Sequence, residues 1–149
     1  MDFIPFDPFL VPLKGVSAVE ASAGTGKTYG IASLYARLLI IEGVEVESIP
    51  VVTFTRTAVT ELKSRLRARL LELRDALEDG SRQNADPFTN TLIKVLQDKK
   101  ITKEEGIERI YRALRHFDLA PILTIHGFCR KFLNEAASVS YTHLTLPTN

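Results

Sequence analysis

Residues 21–28 read Ala21, Ser22, Ala23, Gly24, Thr25, Gly26, Lys27 and Thr28, set between a short apolar run at 16–19 and a helix-periodic stretch beginning near Lys27. Glycines at this spacing let successive backbone N–H groups close around phosphate oxygens without a Cβ in the way. The helix that follows turns its positive end toward the same anion. In such a loop Lys27 supplies a mobile charge to the β and γ phosphates, and the Thr28 hydroxyl ligates the Mg²⁺ that travels with the nucleotide. ATP with Mg²⁺ is therefore the expected cofactor. All eight residues are candidate nucleotide contacts, Lys27 and Thr28 are the candidate catalytic pair, and Thr28 is the candidate metal ligand. The usual G-x-x-x-x-G-K-[ST] pattern opens on glycine where this chain has Ala21, so the first loop position needs no positive φ. The competing reading is a glycine-containing turn with a surface lysine.

The loop needs a strand before it and a helix after it. Residues 27–41 carry Ile31, Leu34, Tyr35, Leu38, Leu39 and Ile41 as a broad helical stripe suited to packing on a sheet, with Gly43 as a stop. Residues 49–54 are β-branched and aromatic with little alternation, the pattern of a parallel strand buried on both faces. From about Ala58, Leu62, Leu66, Leu70, Leu73 and Leu77 recur at helical spacing and fall on one face. A polar, turn-rich break at 79–87 separates this helix from two weaker helical stretches, at about 87–97 and 102–116. Pro121 then introduces a short apolar strand at 122–125 and a helix at 126–136. Strand and helix units in this order predict α/β architecture, a mainly parallel sheet with flanking helices. The expected organisation is a lead-in over 1–15, a nucleotide-binding domain over 16–136 with a helical insertion at about 78–118, and an atypical tail over 137–149. That tail has no charged residue, and reads as either a frayed strand or a non-native extension.

Composition narrows the class further. A chain of 149 residues with 45% apolar content and a net charge of +1 suits one soluble globular domain and argues against a surface that is basic throughout. A single cysteine, Cys129, excludes an internal disulfide and fits a reducing cytosol. No catalytic base or second ligand stands near it, so it reads as a buried thiol. The first 14 residues lack the basic start and apolar centre of an export signal. The longest apolar stretch, at 31–41, is broken by Ser33 and Arg37 and falls short of a membrane span. A cytoplasmic protein without a membrane segment is expected.

Two further segments carry chemistry. Thr53, Phe54, Thr55 and Arg56 end the second strand, and Thr124, Ile125, His126, Gly127, Phe128 and Cys129 end the third. Hydroxyls and backbone amides at strand-to-helix junctions can hold phosphates, while an exposed Phe or His can stack on any base. Each has a bland alternative, Phe54 as core and His126 as a helix-start residue. Residues 56–74 hold six basic and two acidic side chains, which serve either as a phosphate track or as solvated charge flanking the leucine face. The wheel puts Lys63, Arg67 and Arg74 on one flank and Arg65 and Arg69 on the other.

Residues 53–62, with Arg65 beyond, resemble the second motif of the UvrD/Rep-like superfamily 1 helicases. Residues 124–129 resemble the family's next DNA-facing motif, and the forms at 20–28 and 125–129 are most similar to its RecB-type branch. The resemblance covers roughly residues 11–136. It implies an incomplete RecA-like domain of an ATP-driven motor that unwinds DNA in recombination and repair. The contacts with single-stranded or duplex DNA would map onto Thr53, Phe54, Thr55, Arg56, Thr124, His126 and Gly127. It also implies partners among the other subunits of a RecBCD-like helicase–nuclease. The family's adenine-reading glutamine has no counterpart before Gln83, and its Asp-Glu pair for Mg²⁺ and water is missing from the chain. The expectation is therefore a fragment that turns over little ATP alone and exposes an apolar sheet edge. The alternatives are another P-loop ATPase, such as a kinase or transporter motor, and a non-catalytic nucleotide- or DNA-binding module.

Overall fold

A computed structural model describes residues 5–22, 24, 26–79 and 86–141, with side chains through 138. It contains α1 (Lys27–Ile40), β1 (Val51–Thr53), α2 (Arg56–Asp79), α3 (Pro87–Asp98), α4 (Lys103–Arg115), β2 (Ile122–Thr124) and α5 (Ile125–Tyr141), with short 3-10 turns at Val46–Ser48 and Phe117–Leu119. The architecture is a mixture of helix and strand. The two strands pair in parallel, with Val51 opposite Ile122 and Thr53 opposite Thr124. Parallel pairing requires a crossover, and α2, α3 and α4 supply it.

Leucine spacing makes α2 the spine of the core. Leu66, Leu70, Leu73 and Leu77 are buried, and Leu62 packs at the margin. Tyr35, Ala36, Leu39 and Ile40 of α1 join them from one side, Leu92 and Leu96 of α3 and Ile110 of α4 from others. The helix starts follow local chemistry. Asp86 caps α3 by accepting from Thr89 N–H at 3.1 Å, with Pro87 in the first turn, and Thr102 caps α4 by accepting from Glu105 N–H at 3.1 Å.

Helix α1 is held from outside toward its C-terminal end. In its last turn Arg37 Nη1 donates to the carbonyls of Pro8 and Val11 at 2.8 and 2.9 Å, strapping the lead-in across it. At its C-terminus Arg109 of α4 donates to the carbonyls of Ile40 and Ile41 at 2.8 and 3.0 Å. Those carbonyls have no partner within the helix, and a cation there also suits the helix dipole. Phe9 stacks on Phe88 of α3 with ring centroids 4.7 Å apart, closing the strap over the core.

Several expectations need correction. Residues 16–19 form no strand, and Val16 and Val19 are exposed. Strand β1 is shorter than the run at 49–54, and Val52 is 41% exposed, so it is not buried on both faces. The cause is shared: with only two paired strands among the described residues, no third strand covers these side chains. Helix α5 continues through residues 137–141, the first part of the stretch read as an atypical tail, while residues 142–149 lie outside the described residues. No described helix is long and apolar enough to cross a membrane.

Candidate nucleotide and nucleic-acid site

Gly24 has φ +79° and Gly26 has φ +83°, left-handed conformations that a side chain would strain. Ala21 has no positive φ, as its identity implies. Gly26 is the N-cap of α1, and no side chain caps the helix there, so the first turn keeps its amide end open. Lys27 is exposed and Thr28 half-buried in that turn. A cleft of about 560 Å³ opens beside them, lined by Ala21, Ser22, Gly26 and Lys27 together with Phe6 and Leu34. Phe6 lies against Gly30, where a Cβ would come within 2.9 Å of its ring. A helix N-terminus without a side-chain cap among the described residues, after two left-handed glycines and with an exposed lysine and a threonine in the first turn, fits a triphosphate and its cation. Ala23 and Thr25 lie outside the described residues.

The other two segments meet at one end of the sheet. In-register pairing sets Thr53 beside Thr124, so the residues that follow each strand leave from the same side. Both junctions use one local device. Thr55 Oγ1 accepts from Ala58 N–H at 3.1 Å to cap α2, and Thr124 Oγ1 accepts from Gly127 N–H at 3.1 Å to cap α5. Phe54 is 85% exposed, which removes its reading as core. Arg56 and His126 are exposed in the first turns of α2 and α5, while Thr53, Thr124 and Gly127 are half-buried beneath them. The face thus offers a ring, a cation and an imidazole above two capping hydroxyls. Cys129 is exposed on α5, against the expectation of a buried thiol, because that helix faces solvent along its length beyond Gly127.

One cluster escaped the sequence reading. Arg69, placed on a solvated flank by the helical wheel, has a side chain only 9% exposed. Its Nη2 donates to Asp86 Oδ2 at 2.6 Å and to the Tyr29 hydroxyl at 3.4 Å, and its Nη1 to Glu72 Oε2 at 3.2 Å. The guanidinium lies 5.2 Å from the Tyr29 ring centroid and 5.1 Å from that of Phe88. Tyr29 donates to the same Asp86 oxygen, and Thr89 donates its hydroxyl to the other. Burial opposes the charge on Asp86, but hydrogen bonds from Thr89, Tyr29 and Arg69 and the Arg69 charge prevail, holding its carboxyl down at about 2. Burial, then the bond to Asp86, raises the Tyr29 hydroxyl above its usual value. Asp86 before Pro87 signals a helix start in sequence. Nothing local signals that Arg69 will reach it.

Comparison with known proteins adds a family. The model of the UvrD/REP helicase N-terminal domain matches residues 8–145. The RecBCD enzyme subunit RecB of Haemophilus influenzae is 41% identical over 151 residues, covering 96% of this chain and 12% of its own length. The RecB subunit of Escherichia coli is 40% identical over 136 residues, covering 86% and 11%. That of Mycobacterium tuberculosis is 34% identical over 126 residues, covering 84% and 11%. The chain therefore spans 12% or less of the length of these relatives.

Proposed function

The chain belongs to the UvrD/REP helicase family, matching its N-terminal domain, and on that premise we propose that it is the front of an ATP-driven motor that binds single-stranded DNA and separates duplex. In this reading residues 16–136 open a RecA-like nucleotide-binding domain in which 78–118 are a helical insertion. Residues 21–28 hold the triphosphate, with Lys27 on its outer phosphates and Thr28 on Mg²⁺. ATP supplies the phosphoryl-transfer free energy, and the chain's own residues bind and orient it. Thr53, Phe54, Thr55, Arg56, Thr124, His126 and Gly127 take the strand through phosphate contacts and base stacking, which suits a motor indifferent to sequence.

The observation that carries this reading is the in-register parallel pairing of β1 and β2, which brings two segments 71 residues apart (124 − 53) to one end of the sheet. The relatives are named as RecBCD subunits, so we place the intact protein in a comparable helicase–nuclease assembly acting in recombination and repair, in the cytoplasm. The Mg²⁺ carboxylates and water base of the family do not occur as an Asp-Glu pair in these 149 residues, so turnover belongs to a longer chain.

The test uses the intact protein that carries this segment. Lys27→Ala should lower ATP turnover by about 100-fold or more while single-strand affinity is kept. Unchanged turnover would sink the nucleotide reading, and absence of single-strand binding by the wild type would sink the DNA reading.

A further inference from the structure

Tyr29 follows Thr28 directly, and its side chain joins α1 to α2 and to the start of α3 through Arg69 and Asp86. A buried guanidinium is an expensive way to fill space, since an apolar side chain of similar volume packs there without needing partners. What a charged group adds is direction. Its bonds report the positions of Tyr29, Glu72 and Asp86 at once, on three separate elements or their ends. The cluster is also one bond short, because Arg69 Nε is buried with no partner among the described residues. Beside it is a space of about 270 Å³ lined by Thr28, Tyr29, Arg65, Ala68, Arg69 and Glu72. The guanidinium thus has both an unmet donor and room to re-pair, and it shares a wall with the residue assigned to the nucleotide's cation.

The N-terminus of α2 lies at the strand-end face, and Arg69 lies midway along the helix. Arg56 opens the helix, 13 residues before Arg69 (69 − 56), which a helical rise converts to about 20 Å. An unbroken helix carries a displacement along that length without dissipating it in a loop.

We propose that Tyr29, Arg69 and Asp86 form a positioning link through which occupancy of the nucleotide site changes the grip of the strand-end face on single-stranded DNA. The link rests on the function proposed above and adds to it the route by which one site informs the other. None of the three is assigned a contact with nucleotide or DNA in the proposed function.

The experiment measures affinity for a fluorescent oligothymidine strand, with and without a non-hydrolysable ATP analogue, in the intact protein and in its Tyr29→Phe and Arg69→Met variants. In the wild type the analogue should change strand affinity by about fivefold or more, and both variants should bring that ratio close to one while analogue affinity stays within about twofold. Tyr29→Phe removes a single oxygen from an exposed ring, so it decides the matter if Arg69→Met does not fold. Arg69→Lys keeps the charge without the two-sided fork and should not restore the ratio. Variants that melt earlier yet keep the wild-type ratio would reduce the cluster to a structural staple and overturn the link. A wild type that binds both ligands with no effect of one on the other overturns the link alone. A wild type that binds neither overturns the proposed function itself.

Discussion

On the helical side of the molecule Leu66, Leu70, Leu73 and Leu92 are enclosed completely, whereas at the strand ends Phe54 is 85% exposed and Phe132 and Leu133 of α5 are 62% and 65% exposed. The two regions follow opposite rules of burial within one chain. The helical side finds its packing partners among the described residues, and the strand-end side does not.

The contrast can be broken most decisively from within the core. Leu73→Ala should cost about 2–5 kcal/mol, read from denaturant unfolding, because it opens a cavity in the buried cluster. A loss below about 1 kcal/mol would show that the helical side is looser than its burial implies.

Acid probes the same region through Asp86. Its folded carboxyl titrates at about 2, below the ordinary 3.8, so its contribution is complete above the unfolded value and is lost as pH falls through the folded one. Solvent screening of this partly exposed carboxylate keeps that contribution below the roughly 2 kcal/mol that the full shift corresponds to. Between pH 5 and pH 2, stability should fall more steeply in the wild type than in Asp86→Asn, and parallel curves would dissolve the cluster's claim to hold α3 against α2. A smaller effect is expected at the α4 cap, where Thr102→Ala should cost about 1 kcal/mol in the same unfolding measurement.

The strand-end face should answer differently. Phe54→Ala is expected to change stability by less than about 0.5 kcal/mol while weakening DNA-stimulated ATP turnover in the intact protein. A large loss of stability would move Phe54 back into the core and erase the comparison.

How much was legible in the sequence divides along the same line. The leucines of α2, the helical stretches at about 87–97 and 102–116 and the two strand segments are local signals, and each element appears within a few residues of its expected place. Helical periodicity correctly placed four leucines inward but put Arg69 on the solvated flank, because a wheel cannot see that Tyr29 and Phe88 from other helices close over it. Cys129 went wrong in the opposite sense. With no catalytic base or second ligand near it in sequence it read as a buried thiol, yet no described element packs over that part of α5. Residues 16–19 have strand composition and no strand beside them, and pairing is a property of the partner as much as of the residues. At residues 21–28 the identity of Ala21 implied a first position without positive φ, and it has none.

Arg109 also sets an order in time. The carbonyls that it holds at Ile40 lie 69 residues earlier in the chain. At about 5–20 residues per second, a ribosome that has just delivered Ile40 needs roughly 3–14 s to deliver Arg109. Through that interval the helix that begins at Lys27 is in the world without the cation that closes its far end. Its final geometry waits on α4, so a pause in translation between these two points prolongs the stage at which this helix is least secured.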